Sequence, residues 1–390
     1  MSDTYELVAI GGGPAGLAAA RAFREAGGTG AVAIVADEER MPYNRPPLTK
    51  DLLRGESAEE DLPIEDESWL HAHQVALIGG RAVDVDARDR VVLLSGGRAL
   101  RYRHCVLATG AEPMRLPVPG VDDPAVRVVR SLDHVRELTA RLRDGDPVVV
   151  IGSGFIGCEI AASLRMRGHP VSLVSDEPAP NGRRLGDEAA AMIAGWLREL
   201  GVTLALGEPV QRISREEGVL SVETAGSALR APVAVMAAGV APRGELAISC
   251  GLELHDGAVA VDSAMRTGLD GLLAAGDVAY AVNAAAGRAL RVEHWGDALG
   301  QGAVAGRTAA GADAAWDAVP GFWSTIGTHT LKYAAWGDGY DMLSTRPGDD
   351  GSFAVWYGRN GLLVGVLTHE DDASYERGRR QIAAGARWPG

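Results

Sequence analysis

Short apolar runs, separated by glycine-rich turns and alanine-rich stretches, set the pattern of this chain. Residues 7–10 are apolar, residues 11–16 are rich in glycine, a run of alanines follows, and residues 31–35 are apolar again. Short apolar runs are typical of buried strands, and the alanine-rich stretch favours a helix. The order predicts a strand, a turn, a helix and a second strand, which together make a βαβ unit.

A second copy of this pattern lies further along the chain. Residues 147–151 are apolar, residues 152–157 repeat the glycine spacing, and residues 171–174 form the next apolar run. A helix over residues 133–143 is expected before this copy, and a strand over residues 202–206 after it. Two βαβ units predict the α/β class with two Rossmann-like domains.

The glycines of the first turn have the spacing of a dinucleotide fingerprint. Gly11 makes the tight exit from the strand, Gly13 lets the backbone approach a pyrophosphate, and Gly16 lets the helix pack close to the sheet. The phosphates then lie at a helix N-terminus, where unpaired N–H groups favour an anion. Asp37 closes the second strand, where a carboxylate accepts ribose hydroxyls. The turn also contains Pro14 and Ala15.

The second turn has the same fingerprint but a different end. Its residues are Gly152, Gly154, Phe155, Ile156 and Gly157. Ser175 stands where an acid is expected, and Asp176 and Glu177 follow it directly. Carboxylates here accept ribose hydroxyls and repel a 2′-phosphate, which favours NADH over NADPH. Arg183 and Arg184 either bind such a phosphate or are ordinary solvated residues.

A proline-rich segment and a meander follow the first unit. Residues 42–50 are stiffened by proline, and a short helix over residues 51–54 is expected, with Thr49 as its N-cap. Strands over residues 91–94 and 100–107 predict a β-meander. The meander ends in a small-residue turn where the backbone can approach a ligand closely. This turn consists of Ala108, Thr109 and Gly110.

The chain is expected to return to the first unit after a second small-residue turn at Gly239. Residues 272–277 form an apolar strand that ends in Gly276 and Asp277. The carboxylate then lies at the C-terminal edge of a sheet, where open α/β sheets bind ligands. A small-residue helix over residues 298–310 aims its N-terminal dipole at the same edge.

From residue 320 onward, antiparallel strands are expected over residues 331–336, 353–357 and 362–367. Asn360 and Gly361 are a strong hairpin signal between the last two strands. A polar helix over residues 373–384 follows.

Composition narrows the functional classes. The net charge of −14 over 390 residues argues against nucleic acid as a partner. No apolar run approaches the ~18 residues that a membrane span needs, and no signal segment precedes the first strand, so a cytoplasmic protein is expected. Cys105, Cys158 and Cys250 have neither the spacing of a redox dithiol nor that of a metal site.

With these residues placed, the chain resembles the FAD-dependent NADH reductases of ferredoxin and rubredoxin type, within the pyridine nucleotide-disulfide oxidoreductase superfamily. Both fingerprints carry the resemblance, together with the sequences RPPLTK from Arg45 to Lys50, ATG from Ala108 to Gly110, AAGDV at residues 274–278 and VEHW at residues 292–295. The resemblance implies a divided FAD-binding domain at residues 1–112 and 241–318, an NAD-binding domain at residues 113–240 and a C-terminal α+β interface domain at residues 319–390.

The resemblance also implies roles for individual residues. The first fingerprint, Asp37, Thr109 and Asp277 would hold FAD, and the second, with Asp176 or Glu177 and Gly239, would hold NADH. Lys50 and Glu159 match a lysine and a glutamate that the family pairs beside the flavin. Trp295 would bring a helix N-terminus to the pyrimidine end of the flavin. The other cofactor-binding residues implied are Arg45, Ala108, Gly110, Arg130, Gly276, Glu293 and His294.

The activity implied is hydride transfer from NADH to FAD, followed by single-electron transfer to a ferredoxin or rubredoxin that serves an oxygenase. An NADH oxidase or peroxidase is the second reading, but related oxidases use a cysteine soon after the first unit, and none lies between Asp37 and Cys105. A slowly turning-over, NADH-responsive signalling flavoprotein is the third reading. The sequence leaves open a monomer or a homodimer.

The chain departs from the family pattern at three places. Ser175 replaces an acid, Gly296 and Asp297 replace a variable residue and an asparagine, and residues 325–333 follow no familiar continuation. The last segment falls in the domain expected to meet the acceptor. A basic C-terminal cluster is either a docking patch for an acidic carrier or a solvated helix face. Its members are Arg377, Arg379, Arg380 and Arg387.

Overall fold

The structure, a computed structural model, describes residues 3–349 and 351–389. The predicted domain limits at residues 1 and 390 lie outside these ranges. A mostly parallel sheet in the order β3-β2-β1-β6 opens the fold, and β5 and β4 extend it antiparallel. Its elements are β1 (Asp3–Ile10), α1 (Pro14–Glu25), β2 (Val32–Ala36), α2 (Asp51–Arg54), α3 (Glu67–Ala72), β3 (Val75–Gly79), β4 (Ala82–Asp86), β5 (Val91–Leu94), β6 (Ala99–Leu107) and β7 (Ala111–Pro113).

A second parallel sheet has the order β11-β10-β9-β15-β8, and the antiparallel ladder β12-β13-β14 accompanies it. The strands β2, β9 and β15 are buried along their whole length, as expected for parallel strands covered on both faces. The elements are β8 (Val126–Arg127), α4 (Leu132–Arg141), β9 (Val148–Ile151), α5 (Phe155–Met166), β10 (Val171–Ser175), α6 (Gly182–Leu185), α7 (Asp187–Glu199), β11 (Thr203–Leu206), β12 (Arg212–Glu216), β13 (Val219–Glu223), β14 (Ala228–Ala231), β15 (Val233–Met236) and β16 (Val240–Pro242).

The chain passes between the two parallel sheets along a short antiparallel ladder. It leaves the first sheet through β7 and comes back through β16, and these two strands pair with each other. The next elements are α8 (Glu245–Ser249), β17 (Leu254–His255), β18 (Ala258–Val261), β19 (Leu272–Ala274), β20 (Ala279–Asn283), β21 (Arg288–Arg291) and α9 (Trp295–Ala309). Strand β19 rejoins the first sheet beside β6, which confirms the expected return of the chain.

Helix α9 lies directly on α1. A Cβ atom at Gly302 would be 2.3 Å from the carbonyl oxygen of Ala15, and one at Gly306 would be 2.1 Å from that of Ala19. Only glycine permits backbones to approach this closely. The helix that follows the Gly276–Asp277 turn is therefore fixed against the helix of the first fingerprint.

The C-terminal part is an antiparallel sheet in the order β22-β23-β26-β25-β24, with a final helix against it. Asn360 and Gly361 have φ values of +51° and +76°, as the predicted hairpin requires. The elements are β22 (Gly321–Ile326), β23 (His329–Ala335), β24 (Met342–Pro347), β25 (Phe353–Arg359), β26 (Leu362–His369) and α10 (Asp372–Ala383). The α/β class with an added C-terminal α+β part is confirmed.

Several predicted element limits were wrong. The helix expected at residues 298–310 begins at Trp295, since His294 already has the extended backbone of an N-cap. The helix expected at residues 133–143 begins one residue earlier, at Leu132, because the Ser131 side chain caps it. Thr49 is not the cap of α2, because its hydroxyl bonds to a distant carboxylate described below.

Among the residues that the structure describes, no helix is both long and apolar enough to cross a bilayer. The same residues contain no cluster of His, Cys, Asp and Glu side chains able to bind a metal ion.

Candidate active site

The first glycine turn is closed by backbone contacts at both ends and open in the middle. Gly11 has φ +133°, and a Cβ there would lie 2.0 Å from the carbonyl oxygen of Ala108. A Cβ at Gly16 would lie 2.1 Å from the carbonyl oxygen of Gly11. Apart from Gly13 and the residues on either side of it, no described residue has an atom within 4 Å of the Cβ position at Gly13, which is the N-cap of α1. The middle of the turn therefore exposes a helix N-terminus that suits an anion.

The second turn repeats this geometry. Gly152 has φ +107°, and its Cβ would lie 2.3 Å from the carbonyl oxygen of Ala237. A Cβ at Gly157 would lie 2.0 Å from the carbonyl oxygen of Gly152. Gly154, the N-cap of α5, has no described neighbour within 4 Å of its Cβ position. The next two residues are the half-buried Phe155 and Ile156, whose residue surface is 48% exposed.

Asp277 and its turn lie against the first fingerprint. The Asp277 carboxylate is nearly buried and accepts a hydrogen bond of 2.7 Å from Arg130 Nη2. Gly276 has φ +81°, and its N–H donates to Gln301 Oε1 at 2.9 Å. A Cβ at Gly276 would be 3.1 Å from that of Ala15. Gln301, a fully buried residue of α9, was missed by sequence reasoning; a polar residue in a small-residue helix was the available signal.

Asp37 and Thr109, both expected to hold FAD, contact the same residue, Arg243. Thr109 Oγ1 donates to the carbonyl oxygen of Arg243 at 2.7 Å, and Arg243 Nη1 lies 3.6 Å from the exposed Asp37 carboxylate. At Gly110, with φ +71°, a Cβ would be 3.6 Å from Arg130 Nη2. The Ala108–Gly110 turn thus connects the first fingerprint to Arg130.

Arg45 lies in a compact network at the end of β2. Its Nη2 donates to Glu38 Oε1 at 2.6 Å, and its Nη1 donates to the carbonyl oxygen of Arg130 at 2.7 Å. The Tyr43 hydroxyl donates to Glu38 Oε2 at 2.6 Å and accepts from the Leu132 N–H at 3.0 Å. Burial raises the pKa of Tyr43 to about 12. Glu38 was missed, although it directly follows Asp37.

Lys50 and Glu159 form a buried ion pair, as the resemblance implied. Lys50 Nζ lies 2.7 Å from Glu159 Oε2, and the exposed fractions of the two side chains are 10% and 2%. Lys50 comes from the segment after the 3₁₀ turn Pro46–Thr49, whereas Glu159 projects from α5 of the second fingerprint. Lys50 Nζ also donates to the carbonyl oxygen of Pro46 at 3.3 Å.

Two hydroxyl groups complete the shell around the Glu159 carboxylate. Thr49 Oγ1 donates to Oε2 and Ser324 Oγ donates to Oε1, each at 2.6 Å. Ser163 Oγ donates a hydrogen bond of 2.8 Å to the carbonyl oxygen of Thr49, and this bond connects the segment that contains Thr49 and Lys50 to α5. Ser324 was missed by sequence reasoning, because no local signal connects it to Glu159.

The end of the second unit differs from that of the first. The buried Ser175 hydroxyl accepts from Ser153 Oγ at 2.8 Å and from the Glu177 N–H at 3.1 Å. Asp176 is exposed, and its carboxylate accepts from Arg183 Nη2 at 3.0 Å. Gly239 is exposed with φ +97°. The carboxylates of Asp176 and Glu177 therefore lie together with Arg183 just after the end of β10.

The segment before α9 contacts the C-terminal sheet. Glu293 is exposed and pairs with Arg291 at 2.5 Å, and His294 Nδ1 lies 3.1 Å from the Asp297 carboxylate. The His294 ring also packs on Phe322, with centroids 4.6 Å apart. Trp295, half-buried, is the first residue of α9.

Phe322 in turn packs edge-on against Phe155 at the start of α5, at 4.7 Å. Strand β22 thus lies against the starts of both α9 and α5, a convergence that sequence reasoning missed.

The three cysteines are partly or fully buried, and one of them, Cys158, directly precedes Glu159 on α5. Burial raises the pKa of Cys105 and of Cys158, both fully buried, and raises that of the partly buried Cys250 to about 11. Each thiol is therefore protonated at neutral pH and is a poor nucleophile. In the part of the chain that the structure describes, no disulfide links these residues.

Known proteins that are similar to this chain over nearly its whole length are named as reductases. Rhodocoxin reductase of Rhodococcus erythropolis is 32% identical over 97% of this chain and 89% of its own length. A ferredoxin–NAD(P)+ reductase of Sphingomonas is 32% identical over 99% of this chain and 95% of its own. The solved ferredoxin reductase for the CYP199A2 system of Rhodopseudomonas palustris has a TM-score of 0.93 at 30% identity, covering 98% of this chain and 96% of that chain.

A more distant likeness is one of fold alone. The water-forming NADH oxidase from Lactobacillus brevis has a TM-score of 0.87 at 17% identity, over 98% of this chain and 91% of that chain.

The family model described as pyridine nucleotide-disulphide oxidoreductase matches residues 5–302, and this family uses a flavin and a pyridine nucleotide. The resemblance inferred from the motifs is confirmed: the chain belongs to the pyridine nucleotide-disulphide oxidoreductase family.

Proposed function

We propose that this protein is a reductase that oxidises NADH with the help of bound FAD and passes single electrons to a small iron–sulfur or rubredoxin-like carrier. The observation that carries the proposal is the buried Lys50–Glu159 pair, which joins the segment after the first fingerprint to the helix of the second. Similar proteins are named as reductases of rhodocoxin, ferredoxin and rubredoxin. The carrier of this chain is proposed to belong to the same class.

The residues of the first unit fit a flavin dinucleotide. The open space at Gly13 and the N-terminus of α1 suit a pyrophosphate, and the exposed Asp37 suits a ribose. Asp277 with Arg130, the Ala108–Gly110 turn and the start of α9 at Trp295 would hold the remainder. Bound FAD would supply hydride acceptance and the release of single electrons. Lys50 would contribute a fixed positive charge rather than a proton.

The residues of the second unit fit NADH. Gly154 leaves the N-terminus of α5 open, and the apolar Ile156 beside it is available for contact. Asp176 or Glu177 would accept the ribose hydroxyls, with Gly239 on the facing turn. Arg183 is paired with Asp176, which leaves it less available to a 2′-phosphate and supports NADH over NADPH.

The exit of electrons is proposed to take place one at a time. Within the described ranges the thiols are protonated and unpaired, so a two-electron dithiol relay is not supported. The domain limits at residues 112, 240 and 318, a cytoplasmic location and a monomer or homodimer remain part of the proposal.

Anaerobic stopped-flow mixing tests this function. The FAD-loaded protein would be mixed with NADH or NADPH, and the reduced protein then mixed with ferredoxins, a rubredoxin or oxygen. The proposal predicts fast reduction by NADH and fast reoxidation by one of the carrier proteins. Reoxidation by oxygen or peroxide alone would instead favour an oxidase, and sluggish reduction with a long-lived NAD complex would favour the signalling reading.

A further inference from the structure

Strand β22 contributes a buried hydroxyl to the ion pair from a distant part of the chain. Ser324 has no exposed surface, and its Oγ donates to Glu159 Oε1 at 2.6 Å across a sequence separation of 165 residues. We propose that Ser324 is a positioning residue that sets the orientation of the Glu159 carboxylate and, through it, the place of the Lys50 ammonium group. This inference rests on the proposed function, because it assigns Lys50 a role beside the flavin.

The donors are divided unequally between the two carboxylate oxygens. Oε2 accepts from Lys50 and from Thr49, which are neighbours on one segment, whereas Oε1 accepts from Ser324. The described residues offer Oε1 no second side-chain donor. A carboxylate held at both oxygens has a fixed plane, and one held at a single oxygen can turn about its last carbon–carbon bond. Ser324 is therefore the group that fixes the plane.

The orientation of Glu159 matters because Lys50 has few other anchors. Lys50 Nζ has one further partner among the described residues, the Pro46 carbonyl oxygen at 3.3 Å, a longer contact than the 2.7 Å to Glu159. A turn of the carboxylate would move Oε2 and take the ammonium group with it. A charge aimed at a reacting group acts through its exact distance, so a small displacement changes the electrostatic stabilisation.

The packing of β22 keeps Ser324 in a fixed position. Ile326, two residues further on, is also fully buried, and Phe322 packs against Phe155 at the start of the helix that carries Glu159. Thr325, between Ser324 and Ile326, instead bonds to Thr330 of β23 through side-chain oxygens 3.0 Å apart. The strand therefore provides a hydroxyl aimed at Glu159 and, at the next position, one that serves only the C-terminal sheet.

This neighbour offers a matched control. In FAD-loaded protein, Ser324→Ala is expected to slow flavin reduction at saturating NADH about tenfold, less than the ~100-fold that a 1 Å misplacement can cost, because the Lys50–Glu159 pair itself remains. The same variant should lower the midpoint potential of the bound flavin, because a displaced ammonium group stabilises the reduced state less. Thr325→Val also removes one hydroxyl from β22, at a half-buried position, and should leave the rate and the potential unchanged.

A double-mutant cycle separates positioning from general packing. In a Glu159→Gln background, Ser324→Ala should change the rate less than about twofold, because the charged partner is gone. Urea unfolding of the FAD-free protein provides a readout without catalysis, and the two substitutions should be non-additive there as well. Ser324→Cys, which keeps a weak donor in the same space, should recover part of the rate if the alanine variant folds poorly.

The outcomes distinguish this inference from the proposed function. If wild-type protein is rapidly reduced by NADH and Lys50→Met slows the reduction, but Ser324→Ala matches wild type in rate and potential, the positioning role is wrong and the function stands. Equal effects of Ser324→Ala with and without the Glu159 carboxylate also overturn the role. If NADH does not reduce wild-type protein, the proposed function fails, and additivity or coupling in apoprotein unfolding still decides whether Ser324 holds Glu159.

Discussion

The two glycine-rich turns have nearly the same backbone geometry. A Cβ would lie 2.1 Å from a backbone oxygen at Gly16 and 2.0 Å from one at Gly157, and the middle glycine of each turn faces open space. The strands that follow end differently. The first ends beside the exposed Asp37, whereas the second ends in the buried Ser175, with its carboxylates one and two residues later. We therefore propose that the repeated backbone holds a phosphate in both units, and that the strand ends, which differ, distinguish the two nucleotides.

The helices of the two units also differ in what covers them. Helix α1 is covered by α9 through glycine contacts and presents small apolar residues. Helix α5 carries the buried Glu159, which receives side chains from the proline-rich segment and from β22. The helix of the first unit is therefore closely packed against another helix, whereas the helix of the second unit contributes a buried carboxylate to an ion pair. Four sets of substitutions test this contrast.

The largest effect is expected where the two turns are alike. Gly16→Ala and Gly157→Ala should each lower the free energy of unfolding by about 3–5 kcal/mol, because the added methyl group overlaps a backbone oxygen. Urea unfolding of the FAD-free protein measures this. Gly195→Ala on α7, where the Cβ position has no described neighbour within 4 Å, is the control and should not destabilise. If alanine at one of these positions left the free energy of unfolding unchanged, the two turns would not be equivalent.

Substituting the middle glycine of each turn should weaken the binding of a different ligand. Gly13→Ala is expected to weaken FAD binding at least about tenfold, and Gly154→Ala to raise the KM for NADH by a similar factor while FAD is retained, since each methyl group fills space left for a phosphate. Flavin fluorescence titration and steady-state kinetics measure the two effects. If both variants lost FAD, the assignment of one dinucleotide to each turn would be wrong.

A smaller effect is expected at the acidic end of the second unit. Asp176→Ala removes a proposed ribose acceptor and releases Arg183, so the proposed preference for NADH over NADPH in kcat/KM should fall about fivefold, as expected for an exposed charge. Asp37→Ala is the matched substitution in the first unit and should weaken FAD binding without changing that preference. If Asp176→Ala leaves the preference for NADH unchanged, the ribose contact is assigned to Glu177 instead.

The smallest effect concerns the contact between the second unit and the C-terminal sheet. His329 stacks on Trp196 of α7 at 4.3 Å, and burial, together with the neighbouring His369, lowers its pKa. Glu199 and Glu370 act in the opposite direction. Because the unfolded chain binds this proton more readily, the folded state should lose stability as the pH falls below about 6.5, the ordinary histidine value.

His329→Phe should keep the stacking and reduce this loss of stability between about pH 6.5 and pH 5. Thermal unfolding of the FAD-free protein across that range measures it, with the exposed His71→Gln as control. The same slope in wild type and His329→Phe would assign the pH dependence to other groups. His329 lies in the segment of residues 325–333 that departs from the family pattern. The stack joins this segment to α7 of the second unit.

Much of the fold could be predicted because its signals are local. Glycine spacing, apolar runs and the Asn360–Gly361 hairpin depend on residues within a few positions of each other, and the structure confirms them. Helix limits failed where the deciding group was a cap. The N-cap of α4 is Ser131, and Thr49 turned out to bond elsewhere.

By itself, the sequence determined the class of the fold, the two glycine-rich turns and, through the resemblance, the pairing of Lys50 with Glu159. Only the tertiary structure decided what completes that pair and what braces the turns. Glu159 meets Thr49, Lys50 and Ser324 across separations of 110, 109 and 165 residues. Hydrogen bonds of this kind depend on angstrom-scale packing between elements that are remote in the chain, and local sequence patterns contain no information on that distance.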